Sequence, residues 1–296
     1  MLAIILGGLE FLLYKRVVTL RHPEQKDEKV EPKDLLLNAN DVQFSSDTGD
    51  LHGWLILGKP GYPALIIAHD YRSNRSQTLT KLEGLITNLN KQGYFIFLFD
   101  FRGHGESGSA STLGYLEADD VDSALKAVLK YKQIGRRIGI MGVGMGAVAA
   151  SQSFHAVDEV KLILLDSITE SIPARFTDEL ITDYPFLSLV RPALLKGIEF
   201  NMDQAFHLKT TNMQWTTRMR ALYPKAVVFV EEKPVRKEVV ALYDAAREPK
   251  ELLQVDVAAD GELLGPARDE YNRQVGDKVL KYLPAVNHER TLELAH

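Results

Sequence analysis

The stretch that decides the fold is residues 138–150, which read IGIMGVGMGAVAA. A short apolar run leads into glycines at alternate positions, Gly142, Gly144 and Gly146, and small residues follow. Glycine permits the positive-φ backbone that a sharp turn requires. The stretch therefore predicts a buried strand, a tight turn and a helix in immediate succession.

The chain on either side repeats this alternation of strands and helices. Residues 64–68 and 94–99 are apolar runs typical of strands covered on both faces. Residues 161–165, 226–230 and 252–257 read as further strands, and helical stretches separate them. The pattern predicts an α/β fold with a mostly parallel central sheet and helices on both faces.

Composition excludes several kinds of site. The 296-residue chain has no cysteine, which excludes disulfides, thiolate metal sites and a cysteine nucleophile. Its net charge of −5 does not fit the basic surface of a nucleic-acid-binding protein. No histidine pair has the spacing of a zinc hydrolase. We expect no metal, no cofactor and no nucleic-acid partner.

The first residues suggest contact with a membrane. Residues 1–20 are largely apolar, and Lys15 and Arg16 interrupt the run near its end. This pattern predicts a hydrophobic helix that spans or lies on a membrane, with the soluble domain on the cytoplasmic side. The alternative is an amphipathic helix that packs against the globular domain.

Membrane contact is expected through Leu6, Glu10 and Leu13. An ionised Glu10 near the middle of such a helix costs about 2.5–3.5 kcal/mol, unless a partner chain accommodates it. We therefore expect other membrane-protein subunits to bind this helix.

The composition divides the chain into segments. Residues 21–40 are a charged linker interrupted by proline, and residues 41–284 form the α/β domain. Residues 167–220 break the alternation, and an insertion there would form a helical lid over the carboxyl ends of the strands. Residues 285–296 are a polar tail.

Three further motifs carry a resemblance to a known family. Residues 100–107 read DFRGHGES, residues 68–71 read AHDY and residues 246–252 read AREPKEL. With the glycine-rich turn, they are similar to the α/β-hydrolase fold superfamily, in particular to its serine-aminopeptidase-like branch. The resemblance extends over roughly residues 40–284.

The resemblance implies a nucleophilic serine at the centre of a Gly-x-Ser-x-Gly turn, the nucleophile elbow. Here Gly142 and Gly146 flank the turn, and its centre is Gly144, which has no side chain. The region that would bind the oxyanion corresponds to His69, Asp70 and Met145.

The other two members of the implied triad are also altered. The acid position falls on Glu231 or Glu232, and the histidine position falls on Asp260. A serine nucleophile needs a base and an oriented partner for that base. These positions predict a catalytically inactive hydrolase-like protein, tethered to a membrane as a scaffold or accessory subunit of a complex.

Two alternatives remain open. In the first, the chain is an active serine hydrolase with misplaced or non-standard catalytic residues, for which Ser73, Ser76 and Ser167 are candidates. In the second, the Gly142-x-Gly144-x-x-Ala147 pattern, with Asp166 after the next strand, binds a dinucleotide.

Overall fold

The computed structural model describes residues 11–285 except for short gaps, which are residues 12, 24–29, 154–156, 170 and 211–213. An eight-stranded sheet in the order β1-β2-β4-β3-β5-β6-β7-β8 forms its centre. The strands are β1 (Ala39–Ser46), β2 (Gly49–Ile56), β3 (Ala64–Ala68), β4 (Phe95–Phe99), β5 (Ile138–Val143), β6 (Val160–Asp166), β7 (Ala226–Glu232) and β8 (Lys250–Val255).

The sheet is parallel except at one end. The β1–β2 and β2–β4 pairings are antiparallel, whereas the five pairings from β4 through β3 to β8 are parallel. Every residue of β3 and of β4 is buried, because helices cover both faces. The structure confirms the predicted mostly parallel sheet.

Helices connect the strands and cover the sheet. Residues 13–19 form α1. The others are α2 (Arg75–Lys81), α3 (Glu83–Lys91), α4 (Ala118–Leu129), α5 (Met145–Gln152), α6 (Ile172–Asp183), α7 (Arg191–Phe206), α8 (Trp215–Ala221), α9 (Lys237–Ala245) and α10 (Gly265–Tyr282). Helices α6, α7 and α8 lie between β6 and β7, together with a 3-10 helix, Pro185–Val190.

Two apolar cores lie on opposite faces of the sheet. Helices α4, α5 and α9 contribute Val121, Val148 and Leu242 to one core. Helices α3 and α10 contribute Ile86 and Val275 to the other. All five side chains are fully excluded from solvent, and burial of this kind is the main force that holds the layers together.

The N-terminal segment packs against the globular domain. Val17 and Leu20 are buried against Phe176 of α6 and Ile198 of α7, and Leu13 packs against the same cluster. Positions 13, 17 and 20 recur at helical spacing, so they form one apolar face. That face contacts protein, which corrects the expectation that Leu13 contacts lipid.

The other residues expected to contact a membrane, Leu6 and Glu10, lie outside the described residues. Within the part of the chain that the structure describes, no helix combines the length and the apolar character needed to cross a bilayer. The predicted N-terminal membrane helix is therefore not supported.

Candidate active site

The glycine-rich turn joins β5 to α5. Gly144 stands between them with φ +51° and ψ −110°, a backbone conformation that side-chain-bearing residues rarely adopt. A Cβ on Gly142 would overlap the carbonyl of Gly146, and a Cβ on Gly146 would overlap the carbonyl of Ala68. Close packing thus requires the two outer glycines, and the turn has the shape of a nucleophile elbow without a nucleophile.

A carboxylate from the neighbouring strand fills this turn. Asp70, just after β3, accepts hydrogen bonds from the backbone N–H groups of Tyr71 (2.7 Å) and Met145 (2.8 Å). Paired N–H groups at this place are suited to hold an oxyanion. Burial raises the pKa of the Asp70 carboxyl. The structure thus brings Asp70 and Met145 together, with Asp70 itself as the anion.

His69, the third residue of that region, has a structural role. Its Nδ1–H donates to the carbonyl of Asp70 (2.7 Å), and its Nε2 accepts from the N–H of Phe101 (3.1 Å). Burial, and then the neighbouring His104, lower the pKa of His69. Because both ring nitrogens are engaged, His69 is a neutral spacer between two loops.

Asp260 contacts Ser167, which is one of the candidate nucleophiles of the active serine hydrolase alternative. The Oγ of Ser167 lies 2.8 Å from Oδ1 of Asp260 and 2.7 Å from Oδ1 of Asp166. Ser167 directly follows β6 and has a positive φ of 55°. The Ser76 hydroxyl, in contrast, accepts a hydrogen bond from the N–H of Val30 and donates one to the carbonyl of Val30. The geometry therefore distinguishes Ser167 as a serine in contact with carboxylates.

The hydrogen bonds among Ser167, Asp166 and Asp260 depend on which carboxyl group is protonated. The hydroxyl of Ser167 carries one hydrogen, so both of its contacts are hydrogen bonds only when one carboxyl is protonated. Burial raises the pKa of Asp166 to about 7, and its other oxygen accepts a hydrogen bond from the Tyr271 hydroxyl. With the proton on Asp166, Ser167 donates to Asp260.

A cleft of about 560 Å³ opens beside this serine, and Arg175 of α6 lines it. The guanidinium of Arg175 lies 3.7 Å from Oδ2 of Asp260 and 3.6 Å from Glu179. The side chain of Asp260 is one-quarter exposed, so solvent and small molecules reach it. The cleft thus places a hydroxyl, a carboxylate and a positive charge together.

Neither candidate for the acid position joins this group. Glu231 is buried and paired with the guanidinium of Arg236, with one contact at 2.9 Å. Glu232 is exposed. The carboxylate that shares the serine with Asp260 is Asp166, from the strand beside β7.

The DFRGHGES motif stabilises the loops around the site. Asp100 accepts a hydrogen bond from the N–H of Arg75 (2.7 Å), and the Ser107 hydroxyl donates to the carbonyl of Asp100 (2.8 Å). Arg102 is buried and forms a two-point ion pair with Asp120 (2.9 and 2.7 Å). The motif is therefore a scaffold for the carboxyl edge of the sheet.

Two residues of the site, Arg175 and Tyr271, were not predictable from the sequence. Arg175 lies in the inserted helices, and nothing in its local pattern distinguishes it from a surface arginine. Tyr271 lies on α10, 105 positions after Asp166. The one available signal was the Asp166-Ser167 pair directly after an apolar strand, where parallel sheets bind ligands.

The geometry does not favour a bound dinucleotide. Asp166, the expected ribose ligand, has no exposed surface and is engaged by Tyr271 and Ser167. Within the described ranges, no three His, Asp or Glu side chains are grouped so that they could hold a metal ion.

Solved structures with the same fold include an esterase. Pyrococcus furiosus esterase Pf2001 is 22% identical, with a TM-score of 0.71 over 89% of this chain and 98% of its own. The hypothetical protein PA2218 from Pseudomonas aeruginosa is 18% identical, with a TM-score of 0.63 over 89% of this chain and 99% of its own. Likeness at this level of identity establishes the fold.

These findings correct the prediction of a pseudoenzyme scaffold tethered to a membrane. The Pyrococcus furiosus esterase, in three solved structures, is among the structural neighbours, and the described residues contain no helix able to span a bilayer. Because Gly144 has no side chain, any nucleophile has to come from another position.

A curated relative and a family model complete the comparison. The uncharacterized protein YfhR of Escherichia coli K12 is 24% identical over 267 residues, which cover 84% of each chain. Residues 51–290 match the family model described as "Alpha/beta hydrolase family". That match includes the elbow, the inserted helices and the last strand, and the chain belongs to the alpha/beta hydrolase family.

Proposed function

We propose that this chain is a hydrolase of carboxylic esters, with Ser167 as the nucleophile and Asp260 as the general base. The observation that carries the proposal is the 2.8 Å contact between the Ser167 hydroxyl and the Asp260 carboxylate at an open cleft. The Pyrococcus neighbour named an esterase agrees with this reaction class, although the likeness itself concerns the fold.

The first step forms an acyl-enzyme. The Ser167 oxygen attacks the ester carbonyl carbon while its proton passes to Asp260. The tetrahedral intermediate then collapses, the bond to the alcohol oxygen breaks, and Asp260 returns the proton to that oxygen. The alcohol leaves, and the acyl group stays on Ser167.

The second step returns the enzyme to its starting state. Asp260 takes a proton from water, and the resulting hydroxide attacks the acyl carbonyl. The bond to Ser167 breaks, the serine oxygen recovers the proton, and the carboxylic acid is released. Arg175 supplies positive charge for the oxyanion in both steps, because Asp70 already occupies the N–H pair at the elbow.

The backbone at Ser167 supports this role. A left-handed conformation at a non-glycine residue costs about 1–3 kcal/mol and is concentrated at functional sites. Ser167 adopts it with φ 55°, held in place by a hydrogen bond from its N–H to the carbonyl of Val230 (3.0 Å). The turn directs the largely buried side chain of Ser167 toward Asp260 beside the cleft.

The inserted helices act as a lid in this proposal. Helix α6 begins five residues after Ser167 and contributes Arg175 to the cleft. Helix α6 thus places the positive charge of Arg175 beside the cleft, where it stabilises a developing oxyanion.

A fluorophosphonate probe and a p-nitrophenyl ester test the assignment. The wild-type protein should label at Ser167 and hydrolyse the ester, and Ser167→Ala should do neither. Asp260→Asn should lower kcat about 10²–10⁴-fold, because the base is lost while the fold is kept. Circular dichroism verifies that each variant is folded.

Ser73→Ala is the matched control. Ser73 follows β3 at the same edge of the sheet and lines a neighbouring cleft that shares Asp260 with the Ser167 cleft but does not include Ser167, so its removal should leave labelling unchanged. Labelling that persists in Ser167→Ala, or that disappears in Ser73→Ala, would overturn the assignment.

A further inference from the structure

A second cavity, of about 450 Å³, lies between α1, α5 and α6. It shares Thr169, Arg175, Glu179 and Thr182 with the Ser167 cleft. Its apolar wall is formed by Leu20, Leu113, Met145, Val148, Ile172 and Phe176. A space of this size is typical of small-molecule sites, and here charged and polar side chains line the rest of it.

The N-terminal segment forms one wall and is fixed there by two hydrogen bonds. The Tyr71 hydroxyl donates to the carbonyl of Leu20 (2.9 Å), and the N–H of Ser111 donates to the carbonyl of Arg21 (2.8 Å). Tyr71 directly follows Asp70, so the wall is tied to the loop beside the elbow. The cavity is therefore part of the folded domain.

Positive charge lies on one side of the cavity. Arg16 of α1 and Arg72 both line it, and although burial raises the pKa of the Tyr71 hydroxyl, the charges of Arg72 and Arg16 lower it. The Arg72 guanidinium lies 5.4 Å from the centre of the Tyr71 ring. Among the described residues, neither arginine forms an ion pair with a carboxylate.

The carboxylates that line the cavity are mostly engaged. Asp70 accepts two backbone N–H groups, and Glu179 is paired with Arg175 at 3.6 Å. Asp183, the last residue of α6, is the remaining one. Three guanidiniums and three carboxylates therefore line the cavity, and Arg16 and Arg72 are the guanidiniums that have no carboxylate partner among the described residues.

We propose that this cavity binds a single-chain amphiphile that carries one anionic group. Its chain lies along the apolar wall, and its anionic end lies between Arg16 and Arg72. Guanidinium groups bind carboxylate and phosphate oxygens in a planar, two-point manner, which suits this end. The inference concerns binding and does not require Ser167 to be the nucleophile.

Titration calorimetry on the full-length protein tests the proposal with octanoate, used as a monomer, and octan-1-ol. Octanoate should bind about tenfold more tightly than the neutral alcohol, because one charge-assisted contact is added. In Arg16→Gln/Arg72→Gln this advantage should disappear while octanol binding is unchanged. Ile172→Trp, which fills the wall at a half-buried position, should weaken both ligands.

The controls separate this inference from the proposed reaction. Ser167→Ala should bind octanoate as the wild type does, whatever its effect on ester turnover. Equal affinity for octanoate and octanol would contradict the proposal that the ligand carries an anionic group. Octanoate binding that is insensitive to all three substitutions would show that it does not bind in this cavity. If the protein sediments with phosphatidylglycerol vesicles but does not bind monomeric octanoate, the proposed cavity ligand is wrong and the protein binds a lipid surface instead.

Discussion

The carboxylate of Asp70 occupies the space into which a side chain at position 144 would project. A Cβ placed on Gly144 would overlap the carboxyl oxygens of Asp70. The same carboxylate accepts the N–H groups of Tyr71 and Met145, so it is held there by two hydrogen bonds. The glycine at 144 and the aspartate at 70 are therefore matched, and a serine at the elbow requires a change at both positions.

Replacement of Gly144 by serine should destabilise the protein. The positive φ costs a non-glycine residue about 1–3 kcal/mol, and the overlap with Asp70 adds to that cost. Urea unfolding of Gly144→Ser should show this loss. Gly108→Ser is the matched control, because a Cβ there meets no atom within 4 Å, and it should change stability by less than about 0.5 kcal/mol.

The double variant Asp70→Gly/Gly144→Ser should recover part of the loss. The overlap disappears with the Asp70 side chain, so the two substitutions should couple by about 0.5–3 kcal/mol in a double-mutant cycle. Strictly additive effects would show that Asp70 does not restrict position 144.

The ion pair between Arg102 and Asp120 should be a major contributor to stability. Both side chains are almost fully buried, and two contacts join them. Asp120→Ala leaves a buried guanidinium without its main partner and should cost about 3–5 kcal/mol in urea unfolding. Asp47 also contacts Arg102, but its side chain is 56% exposed, so Asp47→Ala should cost less than about 1 kcal/mol. Similar losses in the two variants would contradict this account.

Asp166 should make stability fall as pH rises. Burial raises the pKa of its carboxyl from 3.8 to about 7. Between these values the unfolded chain is ionised while the folded chain keeps the proton, so the stabilisation present at low pH is lost as pH rises through about 7. Urea unfolding from about pH 5 to about pH 8 should show this fall, and Asp166→Asn should reduce the slope. Equal slopes in the two proteins would exclude Asp166 as its source.

The sheet was predictable because its central strands are apolar at every position. Residues 64–68 and 94–99 correspond closely to β3 and β4, since strands covered on both faces leave an unbroken hydrophobic run. The location of α1 was not predictable in the same way. An apolar helical face can be buried equally well in lipid or against protein. Contacts such as that of Val17 with Ile198 form only once the inserted helices have folded.

The glycines predicted the turn between β5 and α5, but they did not indicate which side chains lie close together beside it. Ser167 and Asp260 are 93 positions apart, and only the folding of β6 and the loop after β8 brings them within hydrogen-bond distance. The same holds for Asp70 and Met145, which are 75 positions apart. A family motif identifies residues that are close in sequence. It does not show which side chains reach the same site from a neighbouring strand or loop.

The rate of ester hydrolysis should decrease as pH rises through about 7, and Tyr271 should set where the decrease occurs. Protonated Asp166 leaves the Ser167 hydrogen directed at Asp260, whereas ionised Asp166 competes for it. The Tyr271 hydroxyl donates to Asp166 and favours its ionised form. Tyr271→Phe removes that donor, so the pKa of Asp166 and the midpoint of the pH–rate profile should rise by about one unit.

Asp166→Asn, whose amide group mimics the protonated acid, should keep its rate above pH 7 at a lower overall level. Measurement of kcat/KM for a p-nitrophenyl ester across this range decides the matter, because a purely structural effect of Tyr271→Phe would lower the rate at every pH without moving the midpoint.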